Sequence, residues 1–327
     1  IGESPPASPS TPAALSARAA FQLAQALGVR QVVAACTHTT AHGLYPEELR
    51  LVHHRMGTQF NLLLSPAQLR IGPAKVSVVV RTLNEARYLG ELLEGISVQQ
   101  TNGLDFELVL VDSGSTDDTL SIAERFGCRI LHIKREDFSF GRSLNMGCEA
   151  ASGDILVISS GHCVPADPQW LQALCQPLLE GHAQYSYGKQ QGGTDSYFSE
   201  CRMFEKYFPG QSQIPQQGLY CNNANSALLK LTWQRFRFDE ELTGLEDMEL
   251  AQRLVKSGGQ VAYVAEARVY HHHSETWPQV RHRFEREAIA LQRIMPNVHI
   301  SLFDALRYTV SSVWHDWAHA YRAGVWA

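Results

Sequence analysis

Residues 107–117 are Glu-Leu-Val-Leu-Val-Asp-Ser-Gly-Ser-Thr-Asp. The short apolar run at 108–111 ends abruptly in an acid, Asp112, which is followed by small polar residues. Buried parallel strands have continuous apolar sequences of this kind. Open α/β sheets bind ligands at the carboxyl ends of their strands. The pattern therefore predicts that Asp112 and Ser113 lie in a cleft, where a carboxylate can accept hydrogen bonds from a base or a ribose.

Two further apolar runs end in the same way. Residues 76–80 are followed by Arg-Thr-Leu-Asn-Glu, and residues 155–158 are followed by Ser-Ser-Gly-His. Helical patterns separate the apolar runs between residues 75 and 160, which predicts right-handed βαβ units and an α/β fold with a mostly parallel sheet. Three strands that each end in polar residues suggest a nucleotide site.

Composition places few further limits on function. The chain has 327 residues, 44% of them hydrophobic and 19% charged, with a formal net charge of -5. This is ordinary globular composition, and nothing in the charge favours a nucleic-acid partner. The seven cysteines are odd in number and form no CxxC pair, which favours reduced thiols. No apolar run reaches the roughly 18 residues of a membrane span, and a cytoplasmic protein is expected.

The chain divides into three predicted parts. Residues 1–74 are an N-terminal extension, partly disordered and partly helical, to which the sequence assigns no function. Residues 75–273 form the α/β domain, and residues 274–327 form a C-terminal helical region. The last amphipathic helix could pack against the domain, against a second subunit, or peripherally on the inner face of the plasma membrane.

Four motifs in a fixed order carry a resemblance to a known family. They are Val-Ser-Val-Val-Val-Arg-Thr-Leu-Asn-Glu at 76–85, Leu-Val-Asp-Ser-Gly-Ser-Thr-Asp-Asp-Thr at 110–119, Phe-Gly-Arg-Ser-Leu-Asn-Met-Gly at 140–147 and Gly-Leu-Glu-Asp-Met-Glu-Leu-Ala-Gln-Arg-Leu at 244–254. Together they resemble the family 2 glycosyltransferases, which have the Rossmann-like GT-A fold. The third motif is most similar to the bacterial rhamnosyltransferase branch.

The resemblance covers roughly residues 75–273 and has functional implications. It implies inverting transfer of a sugar from a nucleotide sugar to a glycan or a lipid-linked acceptor in cell-surface polysaccharide synthesis. It implies that Asp247 is the catalytic base facing the acceptor, and that Glu246 orients it or binds an acceptor hydroxyl. Two adjacent acids also suit the first turn of a helix, where they interact favourably with the helix dipole.

The donor pocket is inferred from the same motifs. Asp112 resembles the acid that recognises the base, and Thr82 and Glu85 resemble the rest of the nucleotide pocket. Residues 82–85 could also be a helix start capped by Asn84, and the two interpretations are compatible. Arg142 could reach the donor phosphate or base, because a guanidinium suits phosphate recognition, or it could be an ordinary solvent-exposed arginine. The full set of expected donor-binding residues is Thr82, Asn84, Glu85, Asp112, Ser113, Arg142, Ser160, Gly161 and His162.

The acceptor is expected to contact the polar loop at residues 220–226, which precedes the acid pair. The side-chain amides of Asn222 and Asn223 could bind acceptor hydroxyls. A polar loop without a ligand is the alternative.

One departure from the family pattern concerns the metal. The family usually has an Asp-x-Asp motif that holds a divalent cation under the donor diphosphate, and here the matching residues are Ser160-Gly161-His162. Mg²⁺ prefers oxygen ligands, whereas Mn²⁺ also tolerates imidazole. His162 could therefore hold a metal, or it could bind phosphate directly, or the donor could carry a single phosphate. Strand alternation would place His271 and His273 on one face, where either could join His162; surface histidines are the alternative.

Two other functional classes share features with this sequence. A nucleotidyltransferase shares a related sheet but normally has a Gly-rich phosphate loop with a basic residue after the first strand, which residues 81–85 lack. A non-catalytic GT-A-like module that binds nucleotide sugars is suggested by the missing acidic motif. The intact pair of Glu246 and Asp247 argues against such a module.

Overall fold

The structure is a computed structural model that describes residues 74–101, 103–193, 196–273, 275–322 and 324. The predicted N-terminal extension lies outside the described residues, apart from Ala74. The strands are β1 (Lys75–Thr82), β2 (Asp105–Asp112), β3 (Arg129–His132), β4 (Ile155–Ser160), β5 (Cys163–Pro165), β6 (Tyr185–Gly192), β7 (Asn225–Leu229) and β8 (Val261–His271). The α-helices are α1 (Ala86–Ser97), α2 (Thr119–Arg125), α3 (Phe140–Ala150), α4 (Trp170–Leu179), α5 (Phe198–Tyr207), α6 (Lys230–Phe236), α7 (Glu246–Lys256), α8 (Trp277–Ile294) and α9 (Leu302–Arg322).

The strands of the described ranges belong to one mixed sheet in the order β3-β2-β1-β4-β7-β6-β8-β5. β1 to β4 run parallel to one another, as the alternating strands and helices predicted. β7 is antiparallel to both β4 and β6, and β8 is parallel to β6. β1 to β4, β6 and β8 therefore all end at the same edge of the sheet, which we call the carboxyl edge.

Strand register decides which polar residues meet at the carboxyl edge. Thr82 pairs with Asp112, and Arg81 pairs with Ser160. At the end of β8, His271 pairs with Gly192 of β6 and with Cys163 of β5. The ends of the first three apolar runs thus lie side by side, and the histidines after β8 reach the loop that follows β4.

A hydrophobic core covers each face of the sheet. Alternation along β1 sends Val78 and Val80 to the face covered by α1 and α4, whereas Val79 faces α3 and α7. The apolar face of α1, from Leu89 to Ile96, is buried. The cysteines of the described residues are free thiols, in agreement with the sequence analysis.

The loop after β1 differs from one sequence expectation. Glu85, and not Asn84, is the residue before α1, and its side chain makes no capping hydrogen bond. The N–H of Ala86, the first residue of the helix, instead donates to Asp117 Oδ2 at 3.1 Å. Asn84 has φ 56, a left-handed conformation that asparagine tolerates better than most residues. Its Oδ1 accepts a hydrogen bond from the backbone N–H of Thr116 at 2.8 Å. The interpretation of Asn84 as a helix cap is therefore wrong, because its side chain instead ties the loop after β1 to the loop after β2.

The C-terminal helices α8 and α9 were both predicted from their helical spacing. Along α9, large apolar side chains such as Phe303, Trp314 and Trp317 are exposed. Within the described part of the chain, no helix has the length and apolar character that crossing a membrane requires.

Gly147 is a position where the packing of α3 on the sheet can be tested. A Cβ there would lie 2.4 Å from Val79 Cγ1 and 3.0 Å from Val111 Cγ2. We expect Gly147→Ala to lower the free energy of unfolding by about 1–3 kcal/mol, because overpacking forces the helix away from the sheet. The matched control is Gly90→Ala on α1, where a Cβ meets nothing within 4 Å and should be neutral or stabilising. Urea denaturation measures both; equal effects of the two substitutions would contradict the expectation.

Candidate active site

Asp112 organises the loop at the end of β2. Its Oδ2 accepts hydrogen bonds from the backbone N–H groups of Gly114 and Ser115 at 2.9 and 3.0 Å. Its Oδ1 accepts from the hydroxyls of Thr82, at 3.2 Å, and Ser115. A carboxylate offers about four lone-pair sites, and the side chain is only 1% exposed. The loop groups therefore satisfy this carboxylate completely, and a direct contact with a nucleobase would have to replace one of these bonds.

Other residues expected to bind the donor also lie at the carboxyl edge. The buried Ser113 hydroxyl donates to the carbonyl of Thr82 at 3.0 Å, which joins the ends of β1 and β2. Gly161 donates its backbone N–H to the carbonyl of Arg81 at 3.1 Å, which joins the ends of β1 and β4. The structure thus brings the predicted residues of these three strands together, and their contact with a donor stays a prediction.

Arg142 has protein partners on the surface of α3. Its Nε donates to Glu240 at 3.0 Å, and its Nη1 donates to the carbonyl of Asp137 at 2.8 Å. Two residues earlier, the ring of Phe140 lies under the Arg81 guanidinium, with 5.0 Å between the guanidinium carbon and the ring centroid. Helix α3 therefore contacts the site through Phe140, and a phosphate contact by Arg142 stays a prediction.

The two acids at the start of α7 are buried together. Glu246 and Asp247 are 4% and 7% exposed. Asp247 Oδ2 accepts the backbone N–H of Asn223 at 2.8 Å. Glu246 forms an ion pair with Arg81, with 3.6 Å between Oε1 and Nη1. Because Arg81 belongs to β1, this contact fixes the acid pair to the carboxyl edge of the sheet.

The surroundings of Asp247 favour its protonated form. Burial, and next the negative charge of Glu246, raise the pKa of Asp247 to about 7, against the opposing effect of the hydrogen bonds from backbone N–H groups. A general base works best when its pKa lies near the operating pH. The geometry therefore supplies a carboxylate that can accept a proton near neutral pH.

The loop expected to bind the acceptor supports the acid pair. Asn223 is buried; its Oδ1 accepts from the hydroxyls of Tyr185 and Ser226, and its Nδ2 donates to Glu246 at 3.5 Å. Asn222 is half-buried, and its Oδ1 accepts from Gln190 Nε2 at 2.9 Å. As placed, Asn223 holds the acids in position, and acceptor binding by either asparagine stays a prediction.

Three histidines converge at the carboxyl edge. One ring nitrogen from each of His162, His271 and His273 lies within 4.8 Å of the others, the arrangement expected of a metal site. His272 points elsewhere and stacks on Tyr88, with 4.2 Å between ring centroids. The alternation predicted for the His271–His273 run therefore places the outer two residues with His162.

An oxygen acceptor contacts Nδ1 of each of these rings. Glu85 lies 2.8 Å from His162 Nδ1, and Gln190 lies 2.6 Å from His271 Nδ1. Glu200 contacts His273 Nδ1. Gly161 makes room for the first contact, because a Cβ there would lie 2.7 Å from Glu85 Cγ. Such outer contacts fix the ring orientation of metal-binding histidines.

The three imidazole rings suit a cation that accepts nitrogen ligands. Burial, and next the neighbouring rings of His273 and His162, lower the pKa of His271 well below its usual range, which keeps its imidazole neutral. Neutral imidazole is a ligand for transition cations, whereas Mg²⁺ prefers oxygen. The three residues fit a divalent cation that accepts nitrogen ligands.

Three residues of the site are not predicted from the sequence motifs. Arg81 compensates the charge of Glu246, and Gln190 and Glu200 orient two of the histidines. Arg81 could have been found, since it directly precedes Thr82 at a strand end. Gln190 and Glu200 have no local sequence signal, because only the fold brings them to the histidines.

Residues 77–231 match the family model described as Glycosyl transferase family 2. The O-antigen chain rhamnosyltransferase RfbN of Salmonella typhimurium is 25% identical over 224 residues, which cover 65% of this chain and 70% of that protein. The poly(ribitol-phosphate) beta-N-acetylglucosaminyltransferase TarS of Staphylococcus aureus is 24% identical over 206 residues, which cover 60% of this chain and only 35% of that protein.

Solved structures show the same fold. The mannosyltransferase PcManGT of Pyrobaculum calidifontis, in complex with GDP-Man and Mn²⁺, superposes with a TM-score of 0.54 at 19% identity and covers 69% of this chain and 64% of that one. Glucosyl-3-phosphoglycerate synthase of Mycobacterium tuberculosis, in complex with Mn²⁺, UDP and glucosyl-3-phosphoglycerate, has a TM-score of 0.53 at 23% identity and covers 69% and 81%. The four motifs and the GT-A sheet agree with the match to the family model, and residues 77–231 of this chain are a family 2 glycosyltransferase domain.

Proposed function

We propose that this glycosyltransferase transfers a sugar from a nucleotide sugar to a glycan or lipid-linked acceptor in cell-surface polysaccharide synthesis, with inversion at the anomeric carbon. The observation that carries the proposal is the buried pair of Glu246 and Asp247, held by Arg81 at the carboxyl edge that also carries the Asp112 loop. The polysaccharide setting is supported by the relatives, which are named for O-antigen and poly(ribitol-phosphate) glycosylation.

The reaction follows from the acid pair. Deprotonated Asp247 accepts the proton of an acceptor hydroxyl. The oxygen of that hydroxyl bonds to the anomeric carbon while the bond from this carbon to the donor phosphate breaks, and the nucleotide leaves with the bonding electrons. Attack from the side opposite the phosphate inverts the configuration. Arg81 and Asn223 hold the two acids in place. His162, His271 and His273 would hold a divalent cation, which when bound supplies positive charge to the leaving phosphate.

The donor pocket is proposed along the ends of β1, β2 and β4. It comprises the loop organised by Asp112 and extends to His162, with Thr82, Asn84, Glu85, Ser113, Ser160 and Gly161 around it and Arg142 at its outer side. The acceptor is proposed to approach Asp247 past the loop that contains Asn222 and Asn223. Residues 75–273 would form the catalytic domain, with residues 1–74 and 274–327 as additions.

We further propose that the protein is cytoplasmic and contacts the inner face of the membrane through α9, where a lipid-linked acceptor would lie. The exposed apolar side chains of this helix favour such a contact. Flotation with lipid vesicles tests this placement. A helix that instead mediates self-association would leave the vesicles unbound and give a dimer in size-exclusion chromatography.

The proposed activity is tested in two steps. A thermal-shift panel of nucleotides and nucleotide sugars identifies the donor, because a ligand that binds the folded state raises the unfolding midpoint. Transfer to glycan and lipid-linked acceptors is then followed by nucleotide release, and NMR of the product establishes its anomeric configuration. We expect a product inverted relative to the donor. A retained configuration, or donor binding without turnover on any acceptor, would contradict the proposal.

A further inference from the structure

We propose that His162, His271 and His273 form an all-imidazole site for a single borderline transition cation, of the class of Zn²⁺ or Co²⁺, in preference to Mg²⁺ and Mn²⁺. The inference deepens the proposed function, because the role of the cation in the reaction depends on that function. The binding of the cation can be measured without any nucleotide sugar.

The convergence of the three rings is the first support. The ligands come from the loop after β4, from the end of β8 and from two residues beyond that end, and their nitrogens lie within 4.8 Å of one another. The Nδ1 atoms of all three rings contact oxygen acceptors, on Glu85, Gln190 and Glu200. The second nitrogen of each ring is therefore the one left for a cation, and three such acceptors around three rings are typical of a built metal site.

The chemistry of the donor set is the second support. The nearby carboxylates of Glu85 and Glu200 are bonded to imidazole nitrogens, so the cluster offers nitrogen in place of the family's aspartate oxygens. Affinity of nitrogen sites rises from Mn²⁺ through Co²⁺ to the later cations, and imidazole suits zinc particularly well. Three protein ligands also leave a position open for substrate, as in catalytic zinc sites. His162 is half-buried, with 26% of its side chain exposed, so that position can face solvent.

The test uses the metal alone. Chelator-treated protein is titrated with Co²⁺, and we expect one equivalent to bind with visible absorption bands of a low-coordinate site. Equimolar Zn²⁺ should displace it, whereas about a hundredfold excess of Mg²⁺ or Mn²⁺ should not. His162→Ala, His271→Ala and His273→Ala should each weaken Co²⁺ binding at least about 100-fold. Gln190→Ala, which removes an outer contact only, should weaken it about 10- to 100-fold.

The matched control is His272→Ala, which changes the same run of histidines at a ring that stacks on Tyr88 outside the cluster. It should bind Co²⁺ as the parent does. Circular dichroism checks that each variant is folded. A further variant, His162→Asp, keeps three metal ligands but replaces one ring nitrogen with a carboxylate oxygen. In this variant the ratio of the Zn²⁺ affinity to the Mn²⁺ affinity should fall about 10-fold or more.

Several outcomes would overturn the inference. They are absence of Co²⁺ binding by the parent protein, displacement of Zn²⁺ by equimolar Mn²⁺, or an equal loss in His272→Ala. Pyrophosphate binding in chelator that depends on the three histidines, without any cation binding, would show that the rings contact phosphate directly. Because sugar transfer enters none of these measurements, a failed cation site and a failed glycosyltransferase assignment give different results.

Discussion

Asp247→Asn is expected to lower kcat for sugar transfer by about 10²- to 10⁴-fold, the usual contribution of a general base. The substitution keeps the shape of the side chain but removes its ability to accept the acceptor proton. Nucleotide-sugar affinity, measured by calorimetry, should stay within a few-fold, because the donor loop around Asp112 is built by other residues. A variant as active as the parent would refute the assignment of Asp247 as the base.

The pH profile gives a second readout of the same residue. Since the pKa of Asp247 is raised to about 7, kcat/KM should level off above that pH and fall about tenfold for each pH unit below it. The matched control is Glu249→Gln, an acid-to-amide change on the same helix whose carboxylate bonds to Arg253. It should leave both kcat and the pH profile unchanged.

Asp247 also links stability to pH in a defined direction. Its folded-state pKa lies above the ordinary aspartate value of 3.8, so the native state binds this proton more tightly than the unfolded chain. The stabilisation is complete below about pH 4 and is lost as the pH rises through about 7. Asparagine does not ionise, so Asp247→Asn should raise the melting temperature relative to the parent more at pH 8 than at pH 5. An equal difference in melting temperature at both pH values would contradict the raised pKa of Asp247.

Asp112→Ala is expected to abolish measurable nucleotide binding, with a loss of affinity of about 100-fold or more. It removes an acceptor of four hydrogen bonds from Thr82, Gly114 and Ser115, and the loops after β1 and β2 lose their common partner. The free energy of unfolding should fall by about 3 kcal/mol, since several donors are left unpaired at a buried position. Calorimetry with nucleotides and urea denaturation measure the two effects.

Asp112→Asn separates the two roles considered for this residue. The amide oxygen can accept from the two backbone N–H groups, and the amide nitrogen can donate to the hydroxyls of Thr82 and Ser115, which also accept hydrogen bonds. If Asp112 acts by organising the loop, this variant should bind nucleotides within a few-fold of the parent. A loss as large as that of Asp112→Ala would instead indicate direct recognition of the base by the carboxylate.

Much of the fold could be predicted because its causes are local. The largely apolar runs at 76–80, 108–111 and 155–158 are found in buried parallel strands, and each strand continues one or two residues into the polar segment that follows. The helical spacing of Leu89, Leu92 and Ile96 is equally local, and these side chains form the buried face of α1. Asn84 was misjudged as a cap because its partner, Thr116, belongs to a different loop.

Sequence alone determined the fold class, the positions of the polar strand ends, the acid pair and the alternation that separates His272 from its neighbours. Each of these depends on the identity or periodicity of residues close together in the chain. Only the tertiary structure decided that Arg81 faces Glu246, that Asn223 holds Asp247, and that Gln190 and Glu200 orient the histidines. Ion pairs and hydrogen bonds depend on distance in space, and the order of strands in the sheet sets that distance between residues far apart in the chain.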